Sequence, residues 1–364
     1  MPEKSIPLMS GDELAARLED PLLYLIDVRE PDEVAEWQIP GAHNIPLASL
    51  RSRIAEVPLD KDLVLVCAKG SRALEGAELL DQQDLKSRVL EGGMATWGST
   101  YDQVTGDFAG ATVVQLRRRG KGCLSYVVGS GPNAVVIDPS REIGQYKGVA
   151  KNHGWKITHV LDTHLHADHL SGARELAAAT GAALWLNPAD HFHFDFVPLA
   201  DGKSIELKPG VDLKVSSVSV PGHTEGSTMY QLGEQAIFTG DTLFLESVGR
   251  PDLADQAEAF AHHLFKSLHE RVLPLNDEIT VFPAHFGPGV AVHADQFVAS
   301  ILGSLRNVLA PLALSEPDFV EWALANVKDR PGNYQQIVRI NEGRAEIVGD
   351  AADLEMGPNR CAIA

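Results

Sequence analysis

The sequence predicts two folded domains: an α/β domain with a parallel sheet, then a larger domain of strands and helices. A chain of 364 residues is too long for one ordinary hydrophobic core. Short apolar runs alternate with helical patterns early in the chain, and later several apolar runs each end in histidine or aspartate. We place the first domain at residues 1–105, a linker at 106–111 and the second domain at 112–364.

Composition limits the partners and the compartment. The chain carries 31 basic and 50 acidic residues, a net charge of −19, which argues against a nucleic-acid partner. Residues 117–119, three arginines, are interpreted as a solvent-exposed strand edge. We find no apolar signal core, no membrane-spanning stretch and no disulfide framework among three scattered cysteines. We therefore expect a cytoplasmic protein with no membrane partner, and we expect a homo-oligomer.

The first domain opens with a short helix and two apolar strands. Ser10 precedes leucines at positions 14, 18 and 22, a pattern typical of a helix that the serine caps. Residues 23–28 form a predicted buried strand, and residues 63–66 form a second strand that runs directly into Cys67. A helical pattern begins at Ala73. Alternating strands and helices of this kind favour a parallel sheet.

Cys67 lies where a strand ends and a helix begins, and this position has a defined chemistry. Backbone N–H groups and the positive end of the helix would converge on its sulfur, and Lys69 and Arg72 add positive charge. Gly70 lets the loop curl. The alternative is a buried cysteine that closes a core strand. We favour a nucleophilic thiolate, with a catalytic loop formed by Cys67, Lys69, Gly70 and Arg72.

Four segments of this domain resemble the signature blocks of a single rhodanese domain, namely residues 26–30, 39–46, 67–72 and 91–97. The similarity extends over nearly all of residues 5–103. The resemblance implies that Cys67 carries a persulfide sulfur and transfers it to a thiophilic acceptor. Related phosphatases have a loop one residue longer between the cysteine and the arginine, so the pocket here should suit sulfur better than phosphate.

Residues 98–111 contain three glycines and show neither helical nor strand periodicity, so the boundary is placed there. Beyond it, residues 113–116, 123–128 and 134–137 are predicted strands. The last two are expected to form a hairpin through a glycine-rich turn.

The most informative stretch of the second domain follows the predicted strand 157–161. It contains four ligand-type side chains, His164, His166, Asp168 and His169. The first two would point to one side of an extended segment, and the last two open a predicted helix, 170–180. Later apolar runs also end in ligand-type residues, His223, Asp241 and His285. A surface cluster or helix caps are the alternative, but repeated strand-end ligands favour zinc, iron or manganese.

This ordered set, with Asp138 after an earlier strand, resembles the metallo-β-lactamase fold over residues 112–295. The resemblance implies a sandwich whose metals lie at strand ends between two sheets. The expected fold class is thus an α/β rhodanese domain plus an αββα metallo-β-lactamase sandwich. The fold hosts thioesterases, ribonucleases, lactamases and dioxygenases, so it does not by itself name a reaction.

Narrower similarity points to the persulfide dioxygenase branch, through residues 163–172, 221–224, 240–244 and 249–253. It implies one Fe(II) per chain held by His164, His223 and Asp241, a set expected of a non-haem iron oxygenase. The other ligand-type residues would orient these ligands, namely His166, Asp168, His169 and His285. Arg250 matches a position linked to handling of the substrate thiol. A predicted helical insert, 295–341, resembles that of bacterial fusion enzymes.

The implied reaction is oxidation of a low-molecular-weight thiol persulfide, of glutathione or another carrier, by O2 to sulfite and the free thiol. Sulfur transfer through Cys67 would make or use thiosulfate, which suits a role in hydrogen sulfide oxidation. A dizinc hydrolase of the glyoxalase II type stays open as a second hypothesis. It would divide the same ligands between two zinc ions, with His164, His166 and His223 at one, Asp168, His169 and His285 at the other, and Asp241 between them. A third hypothesis is a sulfur carrier with a structural metal.

Overall fold

The computed structural model describes residues 5–208, 214–252, 256–327, 330 and 332–363. The chain divides into two compact units. The first comprises Met1–Asp102, Arg118–Gly122 and Glu355–Pro358, and the second comprises Gln103–Arg117, Cys123–Leu354 and Asn359–Ala364. Among the described residues, none of the helices combines the length and the hydropathy of a transmembrane span.

The first unit contains a five-stranded parallel sheet with the strand order β1-β5-β4-β2-β3. Its strands are β1 Leu8–Met9, β2 Leu23–Asp27, β3 His43–Asn44, β4 Asp62–Val66 and β5 Ser87–Leu90. The helices are α1 Gly11–Arg17, α2 Pro31–Glu36, α3 Leu47–Leu50, α4 Ser71–Asp81 and α5 Gly93–Trp97. The α/β class with a parallel sheet is thereby confirmed.

Apolar packing covers both faces of this sheet. Along β4, Leu63 and Leu65 lie in one buried cluster, and the two valines that alternate with them lie in another. Because successive side chains of a strand point to opposite faces, β4 is apolar on both sides. The predicted cap is also present, since the Ser10 hydroxyl accepts a hydrogen bond from the N–H of Glu13 at 3.1 Å.

Two further sheets follow along the chain. The seven-stranded sheet has the order β12-β11-β10-β9-β8-β7-β6 and consists of β6 Tyr101–Phe108, β7 Ala111–Arg118, β8 Cys123–Ser130, β9 Asn133–Ile137, β10 Lys156–Leu161, β11 Ala183–Leu186 and β12 Val197–Pro198. The six-stranded sheet runs from β13 to β18 in order and consists of β13 Ser204–Glu206, β14 Lys214–Ser219, β15 Thr228–Leu232, β16 Ala236–Gly240, β17 Thr280–Pro283 and β18 Ser300–Ile301. The helices of this part are α6 Gly144–His153, α7 Ala173–Thr180, α8 Ala257–Ser267, α9 Leu302–Val308, α10 Glu316–Ala325, α11 Tyr334–Asn341 and α12 Ala351–Leu354.

The apolar faces of these two sheets pack against each other. One buried cluster joins Tyr126, Ile137 and Leu161 of the seven-stranded sheet to Phe238 and Phe282 of the six-stranded sheet. A second cluster packs α8, α9 and α10 on the six-stranded sheet, and a third packs α6 and α7 on the seven-stranded sheet. The result is four layers, helix, sheet, sheet and helix, which confirms the predicted αββα sandwich.

Three local expectations are wrong. The segment 98–111 is not aperiodic loop, because β6 and a turn occupy much of it; few β6 residues are buried, so the sequence lacks an apolar alternation there. The helix expected from residue 170 begins at Ala173, where the Ser171 hydroxyl accepts the Ala173 N–H. The helical insert expected from residue 295 has its first helix, α9, only from Leu302, and the short strand β18 precedes that helix. The domain boundaries themselves stay a prediction.

Candidate metal centre and cysteine loop

The ligand-type residues follow the ends of strands in both sheets of the sandwich. Asp138 comes after β9 and His164 after β10, both in the seven-stranded sheet. His223 comes after β14, Asp241 after β16 and His285 after β17, all in the six-stranded sheet. All five side chains are buried. The two sheets therefore contribute ligands to one cluster.

Three of these residues form a compact trio. The Nε2 atoms of His164 and His223 each lie 3.4 Å from Oδ2 of Asp241. The three atoms are buried, and none of them has a hydrogen-bond partner among the described residues. Bare imidazole nitrogens and a bare carboxylate oxygen in one buried place are costly unless a cation binds there. The trio therefore fits a divalent ion with two nitrogen ligands and one oxygen ligand, such as zinc or iron.

Hydrogen bonds on the far side of each imidazole fix which nitrogen is bare. Nδ1 of His164 lies 2.8 Å from the Thr163 hydroxyl, which donates to Oδ2 of Asp138 at 3.0 Å and so accepts from the imidazole. Nδ1 of His223 donates to the main-chain oxygen of Arg250 at 2.9 Å. Each neutral imidazole thus carries its hydrogen on Nδ1 and presents a lone pair on Nε2.

The carboxylate of the trio is oriented in the same way. Oδ1 of Asp241 accepts a hydrogen bond from Nδ1 of His285 at 2.7 Å, which leaves Oδ2 for the trio. Burial would raise the pKa of Asp241, but His285 and His164 outweigh burial and hold this pKa well below its usual range. Burial lowers the pKa of His223 to about 4, so this imidazole is neutral at neutral pH. Burial would lower the pKa of His164, but the carboxylates of Asp241 and Asp138 outweigh burial and raise it.

A second group of ligand-type atoms lies beside the trio. One side-chain atom from each of Cys123, Asp168, His169 and His285 lies within 4.8 Å of the others. Nε2 of His285 is 3.0 Å from Oδ2 of Asp168, and Nε2 of His169 is buried without a hydrogen-bond partner in the described part of the chain. Burial would raise the pKa of the Cys123 thiol, but the charge on His169 lowers it to about 7. This group has the donor types of a second metal site, with a thiol that the sequence analysis did not include.

His166 belongs to a third group, with Asp138 and Asp162. Its Nε2 atom is 3.3 Å from Oδ1 of Asp138, and its Nδ1 atom is buried with no hydrogen-bond partner in the regions that the structure describes. Burial lowers the pKa of His166 to about 3, so the imidazole is neutral at neutral pH. His166 therefore supports the carboxylate that orients Thr163, and its bare Nδ1 is a further candidate ligand atom.

Two distant residues hold the ligand run in place, and the sequence analysis named neither. Nδ2 of Asn341, the last residue of α11, donates to the main-chain oxygens of His166 and His169, in both cases at 2.8 Å. Oδ2 of Asp190 accepts the N–H of Leu165 at 2.8 Å. Neither residue belongs to a recognisable motif, so no local signal in the sequence could have found them.

Arg250, which was expected to handle the substrate thiol, is buried beside His223. Its guanidinium group donates to the two carboxylate oxygens of Asp252 at 2.7 and 2.9 Å and to the main-chain oxygen of Arg360 at 2.9 Å. These bonds hold the backbone whose carbonyl fixes the His223 imidazole. The structure thus places Arg250 in the support of a trio ligand, while contact with a substrate stays a prediction.

In the first unit, Cys67 follows β4 and lies at the N-terminus of α4. Its sulfur accepts hydrogen bonds from the N–H of Gly70 at 3.1 Å and from the N–H of Ala73 at 3.4 Å. Gly70 has a φ of +103°, a backbone conformation that favours glycine. A Cβ at Gly93 would lie 2.1 Å from the main-chain oxygen of Cys67, so the loop also needs a glycine behind it. The Cys67 sulfur thus lies in a cradle formed by the backbone N–H groups of Gly70 and Ala73.

The two cationic residues of this loop differ in their surroundings. The Arg72 guanidinium makes a two-point contact with the Glu33 carboxylate of α2, at 2.7 and 2.8 Å. These hydrogen bonds lower the pKa of Glu33 to about 2. Lys69 is exposed. The loop therefore has one cation held by a carboxylate and one that is exposed.

A four-layer αββα sandwich with buried imidazoles and carboxylates at its strand ends defines a protein of the metallo-β-lactamase class. Family models match both parts of the chain: the rhodanese-like domain at residues 10–100 and the metallo-beta-lactamase superfamily at residues 118–285. The chain belongs to the metallo-beta-lactamase superfamily and carries a rhodanese-like domain before the superfamily domain.

Individual relatives point to two kinds of enzyme. Bovine mitochondrial persulfide dioxygenase ETHE1 is 28% identical over 230 residues, which cover 62% of this chain and 85% of that protein. Hydroxyacylglutathione hydrolase of Methylococcus capsulatus is 37% identical over 163 residues, 43% of this chain, and the match spans 58% of that protein's length. The crystal structure of ETHE1 from Myxococcus xanthus superposes with a TM-score of 0.55 at 23% identity, over 68% of this chain and 100% of that chain. The predicted resemblance to a fusion of a rhodanese domain with a persulfide dioxygenase-like domain is confirmed.

Proposed function

We propose that this chain is a bifunctional sulfur-metabolising enzyme. Its metallo-β-lactamase domain would oxidise a low-molecular-weight thiol persulfide, of glutathione or another carrier, with O2. Both atoms of O2 go to the outer sulfur, water supplies the third oxygen of sulfite, and the thiol is released. The observation that carries this proposal is the trio of bare, buried ligand atoms from His164, His223 and Asp241. Two imidazoles and one carboxylate form the ligand set of non-haem Fe(II) oxygenases.

The residues of the trio would hold one iron ion and orient it. When bound, Fe(II) supplies open coordination positions at which a persulfide sulfur and O2 can meet. Thr163 and the carbonyl of Arg250 keep the two imidazoles in the tautomer that ligation needs, and His285 keeps the Asp241 carboxylate turned toward the trio. Burial of the cluster shields the ligand atoms from bulk solvent.

The rhodanese-like domain would transfer sulfur through Cys67. In one direction, the Cys67 persulfide gives its outer sulfur to sulfite; the S–S bond breaks, thiosulfate forms and the Cys67 thiolate remains. The N–H groups of Gly70 and Ala73 would donate hydrogen bonds to the Cys67 sulfur as the S–S bond breaks. The same step in reverse would draw sulfur from thiosulfate.

Metal analysis joined to oxygen consumption tests both halves of the proposal. The full chain is loaded with iron, its metal content is measured, and it is supplied with glutathione persulfide and coenzyme A persulfide. We expect one iron per chain and oxygen uptake with sulfite formation. Cys67→Ser should keep the oxygen uptake and lose thiosulfate formation, and His223→Ala should lose iron and oxygen uptake together. An iron-loaded protein that consumes no oxygen with either persulfide contradicts the dioxygenase proposal.

A dizinc thioester hydrolase is the second candidate. The observation in its favour is the group of Cys123, Asp168, His169 and His285, which has the donor types for a second ion. The similarity to a hydroxyacylglutathione hydrolase points the same way. Two zinc ions per chain and hydrolysis of a glutathione thioester would support it over the dioxygenase. The cytoplasmic location and the homo-oligomeric state stay predictions, to be checked by fractionation and light scattering.

A further inference from the structure

Asp190 is a buried acidic residue outside the ligand run. It ends a short helical turn, Pro188–Asp190, that follows β11. Its carboxylate accepts three hydrogen bonds: from the N–H of Leu165 at 2.8 Å, from the N–H of Gly226 at 2.7 Å and from the hydroxyl of Thr224 at 3.1 Å. Three donors on one buried carboxylate are a strong and directional set of contacts.

The donors come from two separate ligand loops. Leu165 lies between His164 and His166, in the loop that follows the seven-stranded sheet. Thr224 and Gly226 follow His223 directly, in the loop that comes from the six-stranded sheet. The Asp190 carboxylate therefore spans the gap between the two loops that carry the imidazoles of the trio.

The residue at position 226 shows how closely the carboxylate approaches. A Cβ on Gly226 would lie 2.5 Å from Cγ of Asp190, nearer than real Cβ contacts allow. The backbone φ of Gly226 is not in the left-handed region, so its backbone conformation does not explain why a glycine stands here. The close approach of the Asp190 carboxylate does explain it. The pair Asp190 and Gly226 is thus a fitted contact, and not an incidental one.

We infer that Asp190 is a positioning residue for the metal centre. Its carboxylate holds the His164 loop against the His223 loop, so that both Nε2 atoms face Asp241 Oδ2 at the same distance. The inference rests on the trio as a metal site, which the proposed function also uses, but it does not depend on which reaction occurs there. The effect of Asp190 should therefore appear in metal binding measured without substrate and without oxygen.

Asparagine at this position provides a sharp perturbation. It matches the carboxylate in shape, but its NH2 group is a donor and would face at least one of the three donors around it. Loss of such outer partners typically lowers metal affinity about 10- to 100-fold. For Asp190→Asn we expect a loss in that range for Zn²⁺, measured by competition with a chromophoric chelator. The absorption bands of the Co²⁺-loaded protein should also shift, because the ligand geometry changes.

Asp201→Asn is the matched control. Asp201 also accepts a backbone N–H, that of Ser219 at 2.9 Å, at the end of the same strand that leads to His223. It also accepts a hydrogen bond from the Arg271 guanidinium, and none of its hydrogen bonds among the described residues involves either ligand loop, so Zn²⁺ affinity and the Co²⁺ spectrum should match those of the unchanged protein. Thermal unfolding of the metal-free proteins separates an effect on metal binding from a general loss of stability.

Thr224→Val is a second variant that tests the same contact if Asp190→Asn does not fold. It removes one of the three donors, and we expect a smaller loss of Zn²⁺ affinity with a shift of the Co²⁺ bands in the same direction. The inference would be overturned by a folded Asp190→Asn or Thr224→Val variant that keeps its Zn²⁺ affinity within twofold of the unchanged protein and has an unaltered Co²⁺ spectrum. Failure of persulfide oxidation with intact metal binding would instead count against the proposed function alone.

Discussion

Replacing Thr163 with valine should weaken metal binding without direct contact with the ion. Valine has nearly the shape of threonine and lacks the hydroxyl, and the Thr163 side chain is 1% exposed. That hydroxyl lies between two groups: it donates to Oδ2 of Asp138 at 3.0 Å and accepts from Nδ1 of His164 at 2.8 Å. The main-chain N–H of residue 163 still donates to Oδ1 of Asp138 at 2.6 Å, so the loop keeps its anchor.

The size of the effect follows from the groups left without partners. The variant leaves one imidazole N–H and one carboxylate oxygen unpaired in a buried place, and each costs about 1–3 kcal/mol. We therefore expect the metal-free protein to lose about 2–6 kcal/mol of unfolding free energy. The His164 tautomer is no longer fixed, so metal affinity should fall about tenfold, which corresponds to about 1.4 kcal/mol.

Thr158→Val is the control for this experiment. The Thr158 hydroxyl lies 3.0 Å from Nδ1 of the next residue, His159, and donates to the main-chain oxygen of Ala134 at 3.2 Å, so it repeats the local arrangement outside the ligand cluster. Metal competition and thermal unfolding, with and without metal, are measured for both variants. We expect a change in metal affinity for Thr163→Val alone. Equal metal affinities in the two variants would refute the role assigned to the hydroxyl.

Two further predictions concern the cysteine loop. Gly93→Ala should distort this loop, because the added Cβ would lie 2.1 Å from the main-chain oxygen of Cys67. We expect sulfurtransferase activity to fall at least tenfold while the metal content stays unchanged. Activity equal to that of the unchanged protein would contradict the packing argument. The pKa of Glu33 is lowered to about 2 from its usual 4.5, so its ion pair with Arg72 stabilises the fold above about pH 4.5 and is lost as the pH falls through about 2. Glu33→Gln should remove that part of the acid dependence of thermal unfolding, and an unchanged dependence would show that the pair contributes nothing measurable.

The parts of the site that are contiguous in sequence could be predicted. Cys67, the N–H groups that contact it and the first residues of the helix behind it all lie within seven residues, so a strand, a glycine and a helical pattern were sufficient. The same holds for the ligand run that begins at His164, since chemically unusual residues directly after an apolar strand are conspicuous. Short contiguous patterns in the sequence were therefore enough to predict these strands and helices and the candidate ligands.

The supporting contacts are not local, and no pattern in the sequence contains them. Asn341 reaches His166 across 175 residues of chain, and Cys123 reaches Asp168 across 45. Each is a common residue type in an ordinary context, and only the packing of α11 and β8 brings it to the ligands. Single polar residues of this kind become informative when their partners are known.

The environment of the three consecutive arginines could not be predicted from the sequence either. We interpreted residues 117–119 as an exposed strand edge, but Arg117 and Arg118 are buried. Arg117 donates to the main-chain oxygens of His293 and Gln296 at 2.8 and 2.7 Å. A guanidinium group can be buried when carbonyl oxygens satisfy it, and the sequence shows the cation without showing these acceptors.

The ligand edge of the sandwich is organised by the protein's own hydrogen bonds between the two sheets. The Tyr230 hydroxyl of β15 donates to the main-chain oxygen of Asp162 at 2.8 Å, and the N–H of Thr228 donates to the main-chain oxygen of Thr163 at 2.7 Å. On the other side, the N–H of Leu124 in β8 donates to the oxygen of Ala284 at 2.7 Å. These bonds fix the ligand loops whichever ion is present, so redox-active and redox-inert divalent ions should meet the same trio. We therefore expect the choice between the two proposed reactions to follow from the ions bound, one iron at the trio or two zinc ions that also occupy the group of Cys123, Asp168, His169 and His285, and not from a rearrangement of the ligand loops.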